Sequence, residues 1–370
     1  MQHGQTICLN MIVKNEARVI QRCLASVRPI FDYWIIVDTG STDNTMEIIR
    51  ETLKDVPGEL HQHPWVNFGH NRTEALQYAL HGPDGKPRCD YTLFVDADDE
   101  VVFDDGFVMP RLESDSYLMQ IVDPGVVYYS KRVVRSALPW RYEGPLHAVS
   151  VCELARTEEI LHGIRQVRHF DGGRAGDPKG RRRDALLLEK ALIDEPENER
   201  YVYYLAQTYR DAGDLQRALL HYQRRAQMNG WSDETWSARY EGAKLKERLG
   251  NPWEEVLSSY LAAYQFLPDR AEPLYRIGTH YQSSREYALT HLYLGRARQI
   301  PFPQGHRLFV ENEIYDYLVD LNYAVACYWL GLHAEAIAIN DALLNSGCLP
   351  PHLVDQVVKN RQFSVEALAK

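Results

Sequence analysis

The sequence predicts a two-part fold: an α/β domain on a mostly parallel, Rossmann-like sheet, followed by an all-α solenoid of stacked helix pairs. Up to about residue 170, short β-rich apolar runs alternate with stretches of helical spacing, the order that puts helices on the faces of a parallel sheet. After HFDGGRAGDPKGRRRD, residues 169–184, the β-rich runs cease and the chain reads as helix almost to its end. In that second half, small and large apolar residues recur where paired helices must approach closely and fill each other's gaps.

In chain order, TICLNMIV, DYWIIVD and YTLFVDA read as buried strands, and EARVIQRCLASV and STDNTMEIIRETL as helices. Ser41 or Thr42 is expected to cap the second helix, with Asp43 favouring its positive end. Sheets of this kind bind ligands at the carboxyl ends of their strands. VKNE, DTGSTD and DADD each follow a strand, so these polar clusters fall at one edge of the expected sheet. The Gly-rich stretch with its basic run KGRRR is expected to be a hinge and connecting helix. This gives segments 1–175, 176–195 and 196–370.

In the last segment, Leu205, Ala206, Tyr209, Gly213, Ala218 and Tyr222 have the spacing of a helix-turn-helix tetratricopeptide repeat. Ile277, Gly278, Tyr281 and Ala297 repeat the theme, Gly331 and Ala336 more loosely, and Trp236 to Pro268 in divergent form. Three or four repeats are expected, with their tyrosines as packing positions rather than a stacking platform.

Bulk properties narrow the function classes. The chain has 370 residues, 45% of them apolar, and 41 basic against 51 acidic residues give a formal charge of −10. A general attraction to nucleic acid or to an anionic membrane is therefore not expected. Cys8, Cys23, Cys89, Cys152, Cys327 and Cys348 lie far apart, with no CxxC pair, which suits reduced thiols in a cytoplasmic protein. The N-terminus has no export-signal pattern, and LNYAVACYWLGLHAEAIAI is interrupted by Asn322, His333 and Glu335, so no transmembrane segment is expected.

FVDADDE, residues 94–100, carries the chemistry. Four carboxylates within five residues repel one another unless a positive charge lies between them, and Asp96 and Asp98 on a strand-like exit would share a side. A hard divalent cation resolves that repulsion, with further oxygens supplied by a substrate phosphate.

In order, CLNMIVKNE, WIIVDTGSTDNT, NFGHNRTEAL, FVDADDE, RYEGPLHAV and VRHFDGG make residues 5–175 resemble the family-two glycosyltransferases of the GT-A fold. The resemblance implies a nucleoside-diphosphate-sugar donor, UDP-sugar first, with Mn2+ or Mg2+ and inversion at the anomeric carbon during hexosyl transfer. It implies Val13 and Glu16 at the edge of the nucleoside pocket, Asp38 on the base, Arg72 in the nucleotide site and Asp96 on ribose or donor sugar. It implies Asp98 and His169 as metal ligands, and Arg174, Lys179 and Arg181 offer charge to the leaving diphosphate. Related chains often carry His-Glu where His147-Ala148 stands here, so Glu143 is the first candidate for the general base and His147 the second. VVYYSKRVVR and ALPWRY are expected to be loops lining the acceptor side.

A sugar-transfer domain ahead of tetratricopeptide-like helices resembles bacterial proteins that act on cell-surface glycans, and a subgroup that glycosylates peptides on Cys or Ser. The acceptor is thus a glycan or a peptide or protein, which the repeats could hold, and the chain could form a homodimer. The rival expectation is a catalytically degenerate, repeat-based interaction protein. A nucleotidyltransferase is disfavoured, because VKNEAR replaces the Gly-rich, Lys-bearing phosphate loop after the first strand.

Overall fold

The computed structural model describes residues 4–174 and 178–369, with side chains of Pro178 and Lys179 left out. The first strand, β1 (Ile7–Val13), is buried along almost its whole length, as a central strand covered on both faces must be. Around it run β2 (Tyr33–Asp38), β3 (Gly58–Gln62), β4 (Tyr91–Phe94), β5 (Asp99–Phe103), β6 (Ser116–Asp123), β7 (Val126–Arg135) and β10 (Glu158–Arg168). They form one sheet in the order β3-β2-β1-β4-β7-β6-β10-β5, while β8 (Arg141–Glu143) and β9 (Val149–Val151) pair separately. β1 is parallel to β2 and β4, β2 to β3, and β6 to β10; β4–β7 and β5–β10 are antiparallel. The sheet is therefore mixed, with its parallel part around β1.

Helix α1 (Ile20–Val27) buries Ile20, Cys23, Leu24 and Val27, the i, i+3, i+4, i+7 stripe of an amphipathic helix, and Pro29 follows its end. Burying Leu24 alone contributes about 2 kcal/mol. This stripe joins Leu9, Met11, Ile36 and Leu93 in the main core. Helix α2 (Thr45–Thr52) begins later than the sequence suggests: Ser41 and Thr42 do not cap it. Ser41 Oγ instead accepts from the Asn15 N–H at 2.9 Å, and Asp43 takes the Thr45 N–H at 3.1 Å. Ser41 is thus drawn to the neighbouring loop, whose amides need partners, while Asp43 serves both, accepting from Ala17 of that loop and from Thr45 at the start of α2. On the sheet's other side, α3 (Phe68–Leu80) starts at Asn67, whose side chain accepts from the His70 N–H at 2.9 Å.

VVYYSKRVVR is strand β7 inside the sheet rather than a loop, and Trp140 of ALPWRY is 1% exposed. β-branched and aromatic residues in that segment favour an extended strand, which pairs with β4 through Val133, Val134 and Arg135.

The helical half contains α4 (Pro178–Asp194), α5 (Glu199–Asp211), α6 (Leu215–Arg225), α7 (Ser232–Arg248), α8 (Trp253–Phe266), α9 (Glu272–Ser283) and α10 (Tyr287–Ala297). It ends with α11 (Val319–Trp329), α12 (His333–Asn345) and α13 (Pro351–Leu368). No described helix is long and apolar enough to cross a membrane. Two compact units divide the chain: 1–124 with 128–212, and 125–127 with 213–370. Helices α4 and α5 thus belong with the sheet, and the boundary falls in the turn before α6.

Consecutive helices of the second unit pack as antiparallel hairpins whose seams are set by side-chain size. A Cβ on Gly278 would come within 2.6 Å of Leu294, so glycine is what allows α9 and α10 their close approach. Trp236 and Tyr240 stack at 5.0 Å in a cluster with Tyr260, and all three are buried, so these rings serve packing.

Candidate functional site

Because β2, β1 and β4 are adjacent and parallel, the segments leaving their carboxyl ends meet at one edge. Hydrogen bonds lock them together. Thr39 donates to the Val13 carbonyl through its N–H at 2.9 Å and its hydroxyl at 3.1 Å; the Thr42 N–H reaches Asn15 Oδ1 at 2.8 Å. Val13, Glu16 and Asp38 are thereby fixed along one rim. Asp38 is fully buried, and its Oδ1 accepts the Gly40 and Ser41 N–H groups at 3.0 Å each. Its Oδ2 is buried without a hydrogen-bond partner. An acceptor left unsatisfied in this way costs about 1–3 kcal/mol.

The carboxylates of FVDADDE are dispersed by individual partners. β4 ends at Phe94, so Asp96–Asp98 form a turn, with the Asp99 N–H donating to the Asp96 carbonyl at 3.1 Å, rather than a strand exit. Asp96 pairs with Arg72 from α3, and Arg132 of β7 lies 3.5 Å away. Burial would raise the Asp96 carboxyl, but Arg72 and then Arg132 hold it well below the usual range. Gln166 of β10 donates to Asp99, which burial and then Asp96 push up to about 7. Glu100 meets His169 Nε2 at 2.9 Å. Asp98 has no ion-pair partner among the described residues, and burial followed by the Asp96 charge raises its carboxyl.

The segment after β10 folds against this turn. Asp171 binds Arg22 of α1 through two bonds of 2.8 Å, and the same guanidinium donates to the Asp98 carbonyl at 2.9 Å. A Cβ on Gly172 would lie 2.9 Å from the Asp98 side chain, and one on Gly173 would lie 2.5 Å from the Asn15 carbonyl oxygen. Only glycines allow so close an approach. The Gly173 N–H donates to Glu16 Oε2 at 2.8 Å. Burial outweighs that bond and, with Asp98, Asp43 and Asp171 nearby, pushes Glu16 up to about 7.

His169 therefore meets Glu100, and among the described residues no three metal-type side chains converge at Asp98. Asp98 is a carboxylate without an ion-pair partner among the described residues, and the residue types in this segment, two carboxylates and an imidazole, are ones that a divalent cation takes as ligands.

The two candidate bases differ. On β8, Tyr142 turns to Arg72, whose guanidinium lies 5.6 Å from the ring centre. Alternation then directs Arg141 and Glu143 to the opposite side, where they pair at 2.6 Å. Glu143 thus lies on the other side of β8 from the Tyr142 ring that faces Arg72, and is paired with Arg141. His147 adopts φ +50°, and its ring stacks on Tyr204 of α5 at 4.0 Å. Arg200 of α5 donates to the His147 carbonyl at 3.0 Å. Crowding around the ring, then Arg200, Arg168 and Arg174, lowers its basicity, although the residue as a whole is exposed to solvent, which moderates the effect.

Arg174 is held by Asp184 at 2.6 and 2.7 Å, and Arg181 donates to the Asp211 carbonyl at 2.7 Å; the Lys179 side chain lies outside the described residues. Sequence reasoning missed Arg22, Arg132, Asp171 and the α5 residues Arg200 and Tyr204. None of these had a local signal: Arg132 lies in a segment without clear alternation, Arg22 on a helix face, and the α5 pair far along the chain.

Residues 8–143 match the family described as Glycosyl transferase family 2. A TPR repeat-containing protein of Synechococcus elongatus is 26% identical over 314 residues, covering 79% of this chain and 72% of that protein. The SPbeta prophage-derived glycosyltransferase SunS of Bacillus subtilis is 35% identical over 94 residues, 25% of this chain and 20% of SunS. Among solved structures, a tetratricopeptide repeat protein from Parabacteroides merdae aligns with 52% of this chain and 69% of its own at 20% identity and a TM-score of 0.37. Residues 8–143 thus match the family 2 glycosyl transferases, and the helices α4 to α13 follow them.

Proposed function

We propose that this glycosyltransferase uses a UDP-sugar and a divalent cation, Mn2+ or Mg2+, and inverts the anomeric carbon of the sugar it moves to a glycan or peptide. The observation that carries the donor assignment is the single unpartnered oxygen of Asp38. Its other oxygen is committed to two backbone amides. One free acceptor suits the lone N3–H of uracil; the adjacent N1–H and N2–H of guanine would call for both oxygens.

In this reading Arg72 keeps Asp96 ionised and oriented toward ribose or sugar hydroxyls. Asp98, with His169 and Glu100 beside it, would hold the cation, which supplies positive charge to the departing diphosphate. The acceptor oxygen bonds to the anomeric carbon as the bond to the phosphate oxygen breaks, and the acceptor proton leaves to a base. In this reading His147 takes that role, since Glu143 is paired with Arg141, and diphosphate charge arriving beside Arg168 and Arg174 would offset the cations that depress its basicity.

The test is calorimetric binding of UDP and GDP, each with and without Mn2+, to the wild-type chain, Asp38→Ala and Asp98→Ala. Metal-dependent UDP binding, lost in Asp98→Ala and weakened about tenfold or more in Asp38→Ala, is the expected result. GDP bound as tightly as UDP would overturn the donor assignment. Absence of binding to either nucleotide would favour the degenerate interaction protein.

A further inference from the structure

The second unit contains a group of side chains that sugar transfer does not use. His291 on α10, Cys327 on α11 and Glu335 on α12 each offer one ligand atom, and these atoms lie within 4.8 Å of one another. Tyr323, one helical turn before Cys327 on the same face of α11, sits among them. Its hydroxyl is 2.7 Å from His291 Nε2 and donates to Glu335 Oε1 at 3.1 Å. Exposure grades across the group: Cys327 is buried, His291 half-buried and Glu335 exposed.

The hydrogen-bonded chain His291–Tyr323–Glu335 is complete without the thiol. The thiol's presence within the same small radius is what turns a polar contact into a coordination set. Thiolate, imidazole and carboxylate together suit zinc, whereas Mg2+ and Mn2+ prefer all-oxygen or oxygen-rich sites. The ligands also come from three consecutive helices that pack on one another, so their backbones are positioned before any ion arrives.

We propose that His291, Cys327 and Glu335 bind one Zn2+, which clips α10, α11 and α12 together. The fourth position falls to the Tyr323 hydroxyl or to water. On binding, the sulfur–zinc bond forms and the thiol proton leaves to solvent; no redox partner is involved. With the Tyr323 hydroxyl proton directed to Glu335, His291 Nε2 is the donor to that hydroxyl before the metal arrives; on binding, this contact is given up and the ring proton moves to Nδ1, which frees the Nε2 lone pair for the metal. The site is chemically distinct from the one at Asp98, which has no sulfur among its donors.

The experiment uses the full chain, stripped by a chelator and titrated with Co2+ as a spectroscopic stand-in for zinc. A thiolate-to-cobalt charge-transfer band that saturates at one equivalent, is displaced by Zn2+ and persists in Asp98→Ala is the expected result. The band disappears in Cys327→Ser. Glu335→Gln, on an exposed side chain that folding does not depend on, weakens Zn2+ affinity about tenfold or more and keeps the test decisive should Cys327→Ser fail to fold. No band in the wild-type chain, a band surviving in Cys327→Ser, or unchanged affinity in Glu335→Gln would each overturn the proposal.

Discussion

Glu16 occupies a setting that favours its protonated form. Burial, with Asp98, Asp43 and Asp171 around it, carries its carboxyl from 4.5 to about 7 despite the Gly173 N–H. Between those values the folded chain binds more protons here than the unfolded one, so wild-type stability falls as pH rises through the window and levels off above it. Glu16→Gln keeps an acceptor for Gly173 and removes the titration. In urea melts of metal-free protein, the variant should gain on wild type by about 1–2 kcal/mol between pH 5 and pH 8, after allowing for the solvent that still reaches the side chain. An unchanged difference between the two pH values would show that Glu16 is ionised at little cost. Legibility at this scale followed the strand ends. Asp38 and Asp96 stand just where parallel strands deliver ligand contacts, so the motif located them. Arg132 and Arg22 reach the turn across a strand register and a helix face, and local sequence carries neither.

The Gly172–Gly173 segment acts as an element through what it lacks. At Gly173 a Cβ would meet the backbone oxygens of Asn15 at 2.5 Å and Lys14 at 2.9 Å, which cannot swing aside as a side chain can. Gly173→Ala therefore lifts the segment from the rim and breaks the bond to Glu16, although residue 173 itself is exposed. UDP affinity in the presence of Mn2+ should fall about tenfold, equivalent to about 1.4 kcal/mol, while the thermal midpoint stays close to wild type. Unchanged affinity would mean that the segment covers the turn without shaping the donor site. Strands β1, β2 and β4 and the hairpin helices were readable from periodicity, and Gly278 from its place in a repeat, whereas β7 read as a loop. The start of α2 was not, because Ser41 and Asp43 can serve either a helix end or a neighbouring loop, and only the position of Asn15 decides between them.

For the whole molecule, charge raises a problem that the site must solve. The formal charge is −10 and the donor is itself an anion, so the overall field opposes binding. The cations near the DADD turn do not obviously reverse this, since they already have anionic partners: Arg72 and Arg132 with Asp96, Arg22 with Asp171, Arg168 with Asp123 and Arg174 with Asp184. With these pairs formed, a divalent ion held at Asp98, as proposed, would be the added positive charge that favours the donor. Salt should then act with opposite sign in the two states, because screening over about 8 Å at physiological ionic strength weakens repulsion and attraction alike. Without metal, UDP binding should be weak and should strengthen as NaCl rises from 20 to 200 mM, on the order of these concentrations being enough to change the screening length severalfold. With saturating Mn2+, the same titration should weaken it. If metal-free binding is instead tightest at low salt, the paired arginines retain a net attractive field, and the cation's part shifts from recruiting the donor to stabilising the diphosphate as it leaves.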